Sequence, residues 1–330
     1  MSIPKEGFFA DSMAFFAPPG QKPKFALGSR PRLNLALLTS AKPFAANLAD
    51  VLEEHSDFTV TVLSNPNVHE VRSAMDLDRP ASIGVLFGLQ CAPKGLTLTD
   101  LHSLKFQGIR FMSLAYGAAT EYGGGFLSGR VGDRLTIRGK KLIDWMSLSG
   151  ITLDLSHTGP STMREAIAYI RQKKLPIRIV ATHSGCYSVC PHSRNLPDDV
   201  LKEVEYVGIP AINFYLGPKG GDYFAAFARH VEYAIKVAGK GKVGIGSDCP
   251  HVSMTMEDAE ANFKRMQEML KTGGSFGEYF PDRPPELIRH GASMFKVIAH
   301  SPEMKLALAS DPGVLGANFR NFLALLLPQI

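Results

Sequence analysis

Ile151-Thr-Leu-Asp-Leu-Ser-His157 and, with its histidine 26 positions later, Ile179-Val-Ala-Thr-His183-Ser184 decide how this chain folds. Each is a short β-branched and aliphatic run ending in a histidine, and Pro160 to Lys174 between them has the spacing of a helix. Strand, helix, strand, with a polar side chain at the carboxyl end of each strand, is how an α/β barrel presents catalytic groups. The two imidazoles are therefore expected to point into one cavity. Alone, a histidine at a strand end is as often a satisfied loop residue as a ligand. Two at the same end of adjacent barrel strands favour function.

The alternation extends in both directions. Upstream, residues 1–31 are irregular and rich in Phe, Pro and Gly, with Phe8–Phe15 as a weak first strand. Leu33–Leu38 reads as a buried strand, Lys42–Ser56 as an amphipathic helix, Phe58–Leu63 as extended and Val68–Leu77 as a short helix. Ile83–Phe87 and Ile109–Leu114 read as strands around a helix at Leu98–Gln107, capped by Thr97 or Thr99. A glycine-rich loop, Gly117–Gly132, precedes a helix at Lys140–Ser149. Downstream come the loop Ser184–Pro197, a helix start at Pro197, a strand at Ala211–Phe214, a helix at Tyr223–Val237 and a last strand, Lys242–Asp248, with an acid at its tip. Residues 255–330 read as mostly helical. Eight strands alternating with helices, with Phe58–Leu63 outside the ring, predict a (β/α)8 TIM-type barrel in one domain, 1–330.

Composition narrows the function. The net charge is +5, from 36 Lys and Arg against 31 Asp and Glu, with no basic cluster long enough to track a nucleic acid. Four cysteines do not suggest a disulfide framework. No signal-peptide pattern is visible, and the apolar run Phe322–Leu327 is far short of the ~20 residues that span a bilayer. A cytoplasmic protein that neither binds nucleic acid nor enters a membrane is expected.

Neutral imidazoles suit zinc, and a catalytic zinc usually has three protein ligands and an open position. His157 and His183 would supply two. Asp248 would be a third ligand, a general base or merely a helix cap before Pro250. Arg194 has the planar fork for bidentate capture of a carboxylate, or stabilises its own loop. Cys186, Cys190 and Cys249 read better as small buried hydrophobes than as thiolate ligands.

The blocks Asp154-Leu-Ser-His157, Thr182-His183-Ser-Gly-Cys-Tyr-Ser-Val-Cys-Pro-His-Ser-Arg194-Asn-Leu-Pro-Asp-Asp and Val243-Gly-Ile-Gly-Ser-Asp248 resemble the signatures of the membrane (renal) dipeptidase family, peptidase family M19. Gly313-Val-Leu-Gly-Ala-Asn318-Phe-Arg-Asn resembles that family's C-terminal element, and Phe106-Gln-Gly-Ile-Arg-Phe-Met-Ser-Leu one of its strands. The resemblance implies a metal-dependent barrel that hydrolyses dipeptides with two zinc ions bridged by a glutamate. By motif, His157 and His183 carry over as ligands of one metal, Arg194 as the carboxylate binder and Asp248 as the acid/base. Related barrels are often dimers, which leaves a homodimer open.

The departures fall on the other metal. The family's His-x-Asp position aligns with Met13 and Phe15, its bridging glutamate with Gln90 and its oxyanion histidine with Tyr116. Two zinc ions about 4 Å apart need anionic ligands between them. Losing two carboxylates and an imidazole makes an intact two-zinc centre untenable. A single zinc on His157, His183 and a third group (Asp248, the Gln90 oxygen or water) stays open, as does none. Tyr116 would donate to an oxyanion and touch substrate. Three readings follow: a divergent hydrolase of a dipeptide or similar small amide with at most one metal; an inactive barrel that binds a small carboxylate or a protein partner; or metal-free chemistry run by Asp248, His183 and Tyr116.

Overall fold

In the computed structural model, which describes residues 8–15, 33–42, 47–211, 215–217, 221–250, 257, 260, 261, 264 and 294–329, the apolar runs pair in parallel and close into a ring. In chain order the strands are β1 (Ala10–Phe15), β2 (Leu35–Thr39), β3 (Val68–Glu70), β4 (Ile83–Leu89), β5 (Ile109–Ser113), β6 (Thr152–Asp154), β7 (Ile179–Ala181), β8 (Tyr206–Ile209), β9 (Val243–Ile245) and β10 (Cys249–Pro250), a two-residue strand beside β1. The ring runs β1-β2-β4-β5-β6-β7-β8-β9, and Asp11 opposite Ile245 closes it. This is the (β/α)8 barrel. β3 lies outside that order, paired with the first half of β4. A register shift between Asp11 and Ala14 marks a bulge in β1, the kind of irregularity that re-aims a side chain near a site.

Besides two single turns at Gly129–Gly132 and Asp198–Leu201, the α-helices among the described residues are α1 (Leu48–Leu63), α2 (Leu98–Phe106), α3 (Ile137–Ser149), α4 (Pro160–Lys173), α5 (Tyr223–Ala238), α6 (Met294–His300), α7 (Lys305–Ser310) and α8 (Ala317–Leu326). Thr97 and Asp100 form the capping box of α2. Pro160 opens α4 at a position where its missing N–H costs nothing. The Asp133 carboxylate accepts the next two orphan N–H groups, from Ser161 and Thr162.

Three expectations need correction. Phe58–Leu63 is the end of α1, not an extended segment: Val51, His55 and Val62 share its buried face, and packing overrides the β-branched propensity of Thr59 to Val62. That helix starts at Leu48, capped by Asn47; the expected earlier start partly falls on residues 43–46, outside the described ones. Val68–Leu77 is not one helix but β3 followed by a 3-10 turn at Ala74–Asp78. The strand expected at Ala211–Phe214 is instead β8, five residues earlier at its start; 212–214 lie outside the described residues. Gly208 breaks the apolar run of β8 in sequence. A Cβ there would sit 2.1 Å from the Thr182 carbonyl oxygen, so close strand approach requires the glycine.

Two layers of core hold the barrel. One lies between strands and outer helices. The other fills the amino-terminal end of the ring, where Leu35, Leu37, Leu86 and Phe111 meet Tyr206 and α8. The Tyr206 ring lies 5.0 Å from Phe319 and 5.8 Å from Phe322. The Asn318 amide donates to the Val243 carbonyl at 2.8 Å, tying α8 to β9. With that end plugged, His157, His183 and Asp248 follow the carboxyl ends of β6, β7 and β9 within the described residues. Among those residues no helix is long and apolar enough to cross a membrane.

Candidate active site

At the carboxyl ends of β6 and β7 the Nε2 atoms of His157 and His183 face each other at 2.9 Å. Both rings are buried. Burial, with the Arg194 cation adding to it, holds both well below the ordinary imidazole value, and the two are neutral at neutral pH. The Tyr116 ring stacks on His157 at 4.0 Å between centroids. Phe126, from the glycine-rich loop, lies 6.0 Å from the same imidazole.

His183 is anchored at every polar atom. Its N–H donates to Ser156 Oγ (3.0 Å), its carbonyl accepts from Arg194 Nη2 (2.8 Å), and its Nδ1 meets Thr182 Oγ1 (2.9 Å). The Thr182 hydroxyl in turn donates to Asp154 Oδ2 at 2.5 Å. His157 is held differently. Its Nδ1 is buried without a hydrogen-bond partner among the described residues, and its backbone sits in the left-handed region at φ 69°. Asp248 has φ 56°. Left-handed backbone at non-glycine residues gathers at functional sites, and two of the four such residues among the described ones, the others being Ala81 and Lys174, lie just past barrel strands.

Arg194 is fully buried, with Nη1 donating to Ser184 Oγ at 2.7 Å. No carboxylate among the described residues lies within ion-pair distance of it. A buried guanidinium whose charge is offset only at a distance, by Asp248 and Asp154, and which makes no ion pair among the described residues, suits capture of an anion. Beside it, His192 stacks on Tyr215 at 4.2 Å. Burial and Arg194 push His192 down to about 4.

Asp248 reaches the site through β1. The buried Asp11 carboxylate accepts from the N–H groups of Met13 (3.0 Å) and Ser247 (2.8 Å) and from the Ser247 hydroxyl. The Asp248 N–H donates to the Met13 carbonyl at 2.9 Å. Burial raises Asp248 to about 6, with Arg194 opposing the rise and Asp11 adding to it. Burial, then the Asp248 charge, pushes the Tyr116 hydroxyl up, so it stays a proton donor.

Across the ring, the Gln90 amide donates to Met13 Sδ at 3.2 Å and the Thr39 hydroxyl to the same sulfur at 3.3 Å. This is a neutral cluster. It does not fit a second ion: the aligned thioether and amide carry no charge, and no group of three His, Cys, Asp or Glu able to hold a metal occurs among the described residues. The side chain of Phe15 lies outside the described residues. One ion fits better, because two neutral imidazole nitrogens converge, although water or substrate would have to complete the set.

The structure therefore brings His157, His183, Tyr116 and Arg194 together, sets Asp248 where its charge acts on Arg194 and Tyr116, and puts Gln90 against Met13. Sequence reasoning missed the roles of Asp11, Ser156 and Thr182. Asp154 and Thr182 were visible only as motif letters; the two-residue alternation of β6, extended to β7, points both into the barrel.

The family model for membrane dipeptidase (peptidase family M19) matches residues 14–276, a span that includes Gln90, Tyr116, both histidines, Arg194 and Asp248. Dipeptidase verJ of Clonostachys rogersoniana is 30% identical over 239 residues, 68% of this chain and 57% of that protein. Dipeptidase aclJ of Aspergillus oryzae is 29% identical over 240 residues, 68% and 54% respectively. The chain thus spans little more than half the length of these curated relatives. Among solved structures, an amidohydrolase from Pseudomonas aeruginosa superposes with TM-score 0.70 at 19% identity, covering 96% of each chain. A metallo peptidase from Rhodobacter sphaeroides, liganded with a phosphinate mimic of L-Ala-D-Ala, does so with TM-score 0.64 at 16% identity, covering 96% of this chain and 98% of its own. At such identities these likenesses show the fold.

Proposed function

Since this chain belongs to the membrane dipeptidase family, peptidase family M19, we propose that it is a divergent dipeptidase-like hydrolase of a dipeptide or similar small amide, with at most one metal ion, zinc, on His157 and His183. The observation that supports this reading is the buried Arg194 guanidinium, in no ion pair among the described residues and hydrogen-bonded to the His183 carbonyl, beside two convergent imidazole nitrogens. In that arrangement Arg194 holds the substrate carboxylate and orients the scissile amide toward the histidine pair. Asp248 accepts a proton from the attacking water and delivers it to the departing amine nitrogen as the C–N bond breaks, a task suited to an acid near 6. Tyr116, kept protonated, donates to the developing oxyanion. A bound ion would supply Lewis-acid polarisation of the scissile carbonyl. Gln90 offers an amide oxygen as a weak further ligand, its nitrogen being committed to Met13.

Metal analysis of protein purified without added zinc, followed by a dipeptide panel with Zn²⁺, Mn²⁺ or Co²⁺, tests this. Metal uptake and turnover that His157→Ala abolishes are expected. Failure to take up metal at micromolar zinc, with no turnover of any dipeptide, rejects it.

The neutral Met13–Gln90–Thr39 cluster supports a second reading, a barrel that has left catalysis and binds a small carboxylate at Arg194. In that case carboxylates stabilise the protein without being consumed, and metals change nothing.

A further inference from the structure

The two histidines are not equivalent, and the difference is written in their neighbours. The Asp154 carboxylate takes the N–H groups of Ser156 (2.9 Å) and Thr182 (3.0 Å) on Oδ1 and the Thr182 hydroxyl on Oδ2. A carboxylate receiving three donors offers no proton in return. The single hydroxyl proton of Thr182 is thereby committed to Asp154, over the short 2.5 Å contact. Toward His183 Nδ1, 2.9 Å away, the threonine oxygen has only lone pairs left, so the ring must be the donor. A neutral imidazole with its proton on Nδ1 has a bare Nε2.

We propose that Asp154 and Thr182 are positioning residues that fix His183 in the Nδ1–H tautomer and turn its Nε2 lone pair toward His157. His183 is then the preset member of the pair. His157 is the adaptable one: with nothing bound it donates its Nε2–H across the 2.9 Å to His183, and to present a lone pair there it must move that proton to Nδ1, which has no partner among the described residues. The tautomer stands on the hydrogen bonds alone. Its consequence, that metal affinity depends on Thr182, rests on the hydrolase reading above. Outer partners of ligating histidines typically contribute roughly 10–100-fold in affinity, and Thr182 should contribute about as much.

Two measurements test the proposal separately. Long-range proton–nitrogen correlation spectra of metal-free protein carrying isotope-labelled histidine report where each ring holds its proton. The His183 signals, assigned by their loss in His183→Gln, should show a protonated Nδ1 and a bare Nε2 in the parent and in Thr182→Ser. In Thr182→Val that preference should disappear. A parent His183 protonated on Nε2, or a Val variant with the parental tautomer, overturns the proposal, and the parent spectrum suffices if the Val variant does not fold. Zinc titration should show binding roughly 10–100-fold weaker in Thr182→Val and near parental in Thr182→Ser. Equal affinity in parent and Val variant overturns the metal consequence while leaving the hydrolase reading intact. A parent that takes up no zinc removes the metal from that reading, and the spectra still decide the tautomer.

Discussion

The side-chain amide of Gln90 donates to the sulfur of Met13 across 3.2 Å, at the two barrel positions where the family resemblance calls for a carboxylate and an imidazole. Both residues are buried. The exchange replaces charge with a neutral contact, which the Thr39 hydroxyl extends on the same sulfur.

Restoring the carboxylate alone should therefore harm the fold. Gln90→Glu sets an ionisable group against a thioether, and an unpaired buried polar group costs about 1–3 kcal/mol, more when charged. The charged form is the penalised one, so the loss of melting temperature should be larger at alkaline than at acid pH. Calorimetric scans at two pH values check the sign. An equal loss at both, or none, would mean the cluster tolerates charge and that a second cation remains feasible there.

Arg194 offers a cleaner handle on binding. Arg194→Met keeps the length of the side chain and removes every donor. Ligand stabilisation follows concentration over Kd, reaching about 2.7 kcal/mol at 100-fold excess. Small carboxylates should raise the melting temperature of the parent and leave the variant unmoved. Arg194→Lys should recover little, because a point charge cannot reproduce the fork that reaches Ser184, His183 and a ligand together.

Much of this architecture was legible before any coordinates. The barrel and the convergence of His157 with His183 follow from strand periodicity and polar tips, whereas Arg194 stood out by its fork and by the family resemblance, and its burial did not. What stayed hidden has identifiable causes. Thr59 to Val62 carries strand propensity inside a helix because one face of α1 packs on the barrel. β8 is masked by a glycine that exists to let strands touch. The relay through Asp154 and Thr182 depends on which hydroxyl proton goes where, a matter of distances of 2.5 and 2.9 Å that no residue pattern encodes.

Acid sensitivity should come from two structural imidazoles in addition to the buried His157 and His183. His230 accepts the Cys186 N–H on Nδ1 and donates from Nε2 to the Leu216 carbonyl, joining the Arg194 loop to the segment before α5. Burial pushes it down to about 4, as burial and Arg194 do His192. Both are depressed below their unfolded value near 6.5. Their stabilisation is complete above about pH 6.5 and is lost as pH falls toward 4, because the unfolded chain gains the protons first. Urea unfolding across that window should show declining stability, at a rate bounded by about 1.4 kcal/mol per pH unit for each proton taken up. A flat profile would place both rings in contact with water.

Asp248 should act with the opposite sign. Its folded value of about 6 exceeds the unfolded value, so the fold favours the protonated acid; its penalty is absent below about pH 4, grows between 4 and 6, and is constant above. Asp248→Asn keeps the shape and removes the charge. It should stabilise the protein at neutral pH and not at acid pH, and it should abolish any turnover. Asp248→Gly adds the relief of a left-handed backbone at φ 56°, which for a non-glycine residue costs about 1–2 kcal/mol and somewhat less for aspartate. The glycine variant should therefore gain stability at every pH, including those where the asparagine variant gains nothing. If both substitutions stabilise while both silence hydrolysis, the carboxylate is kept at a cost to the fold, as expected of a group retained for chemistry. If Asp248→Gly instead destabilises across the pH range, the side chain serves the barrel rim, and the acid/base role passes to another residue.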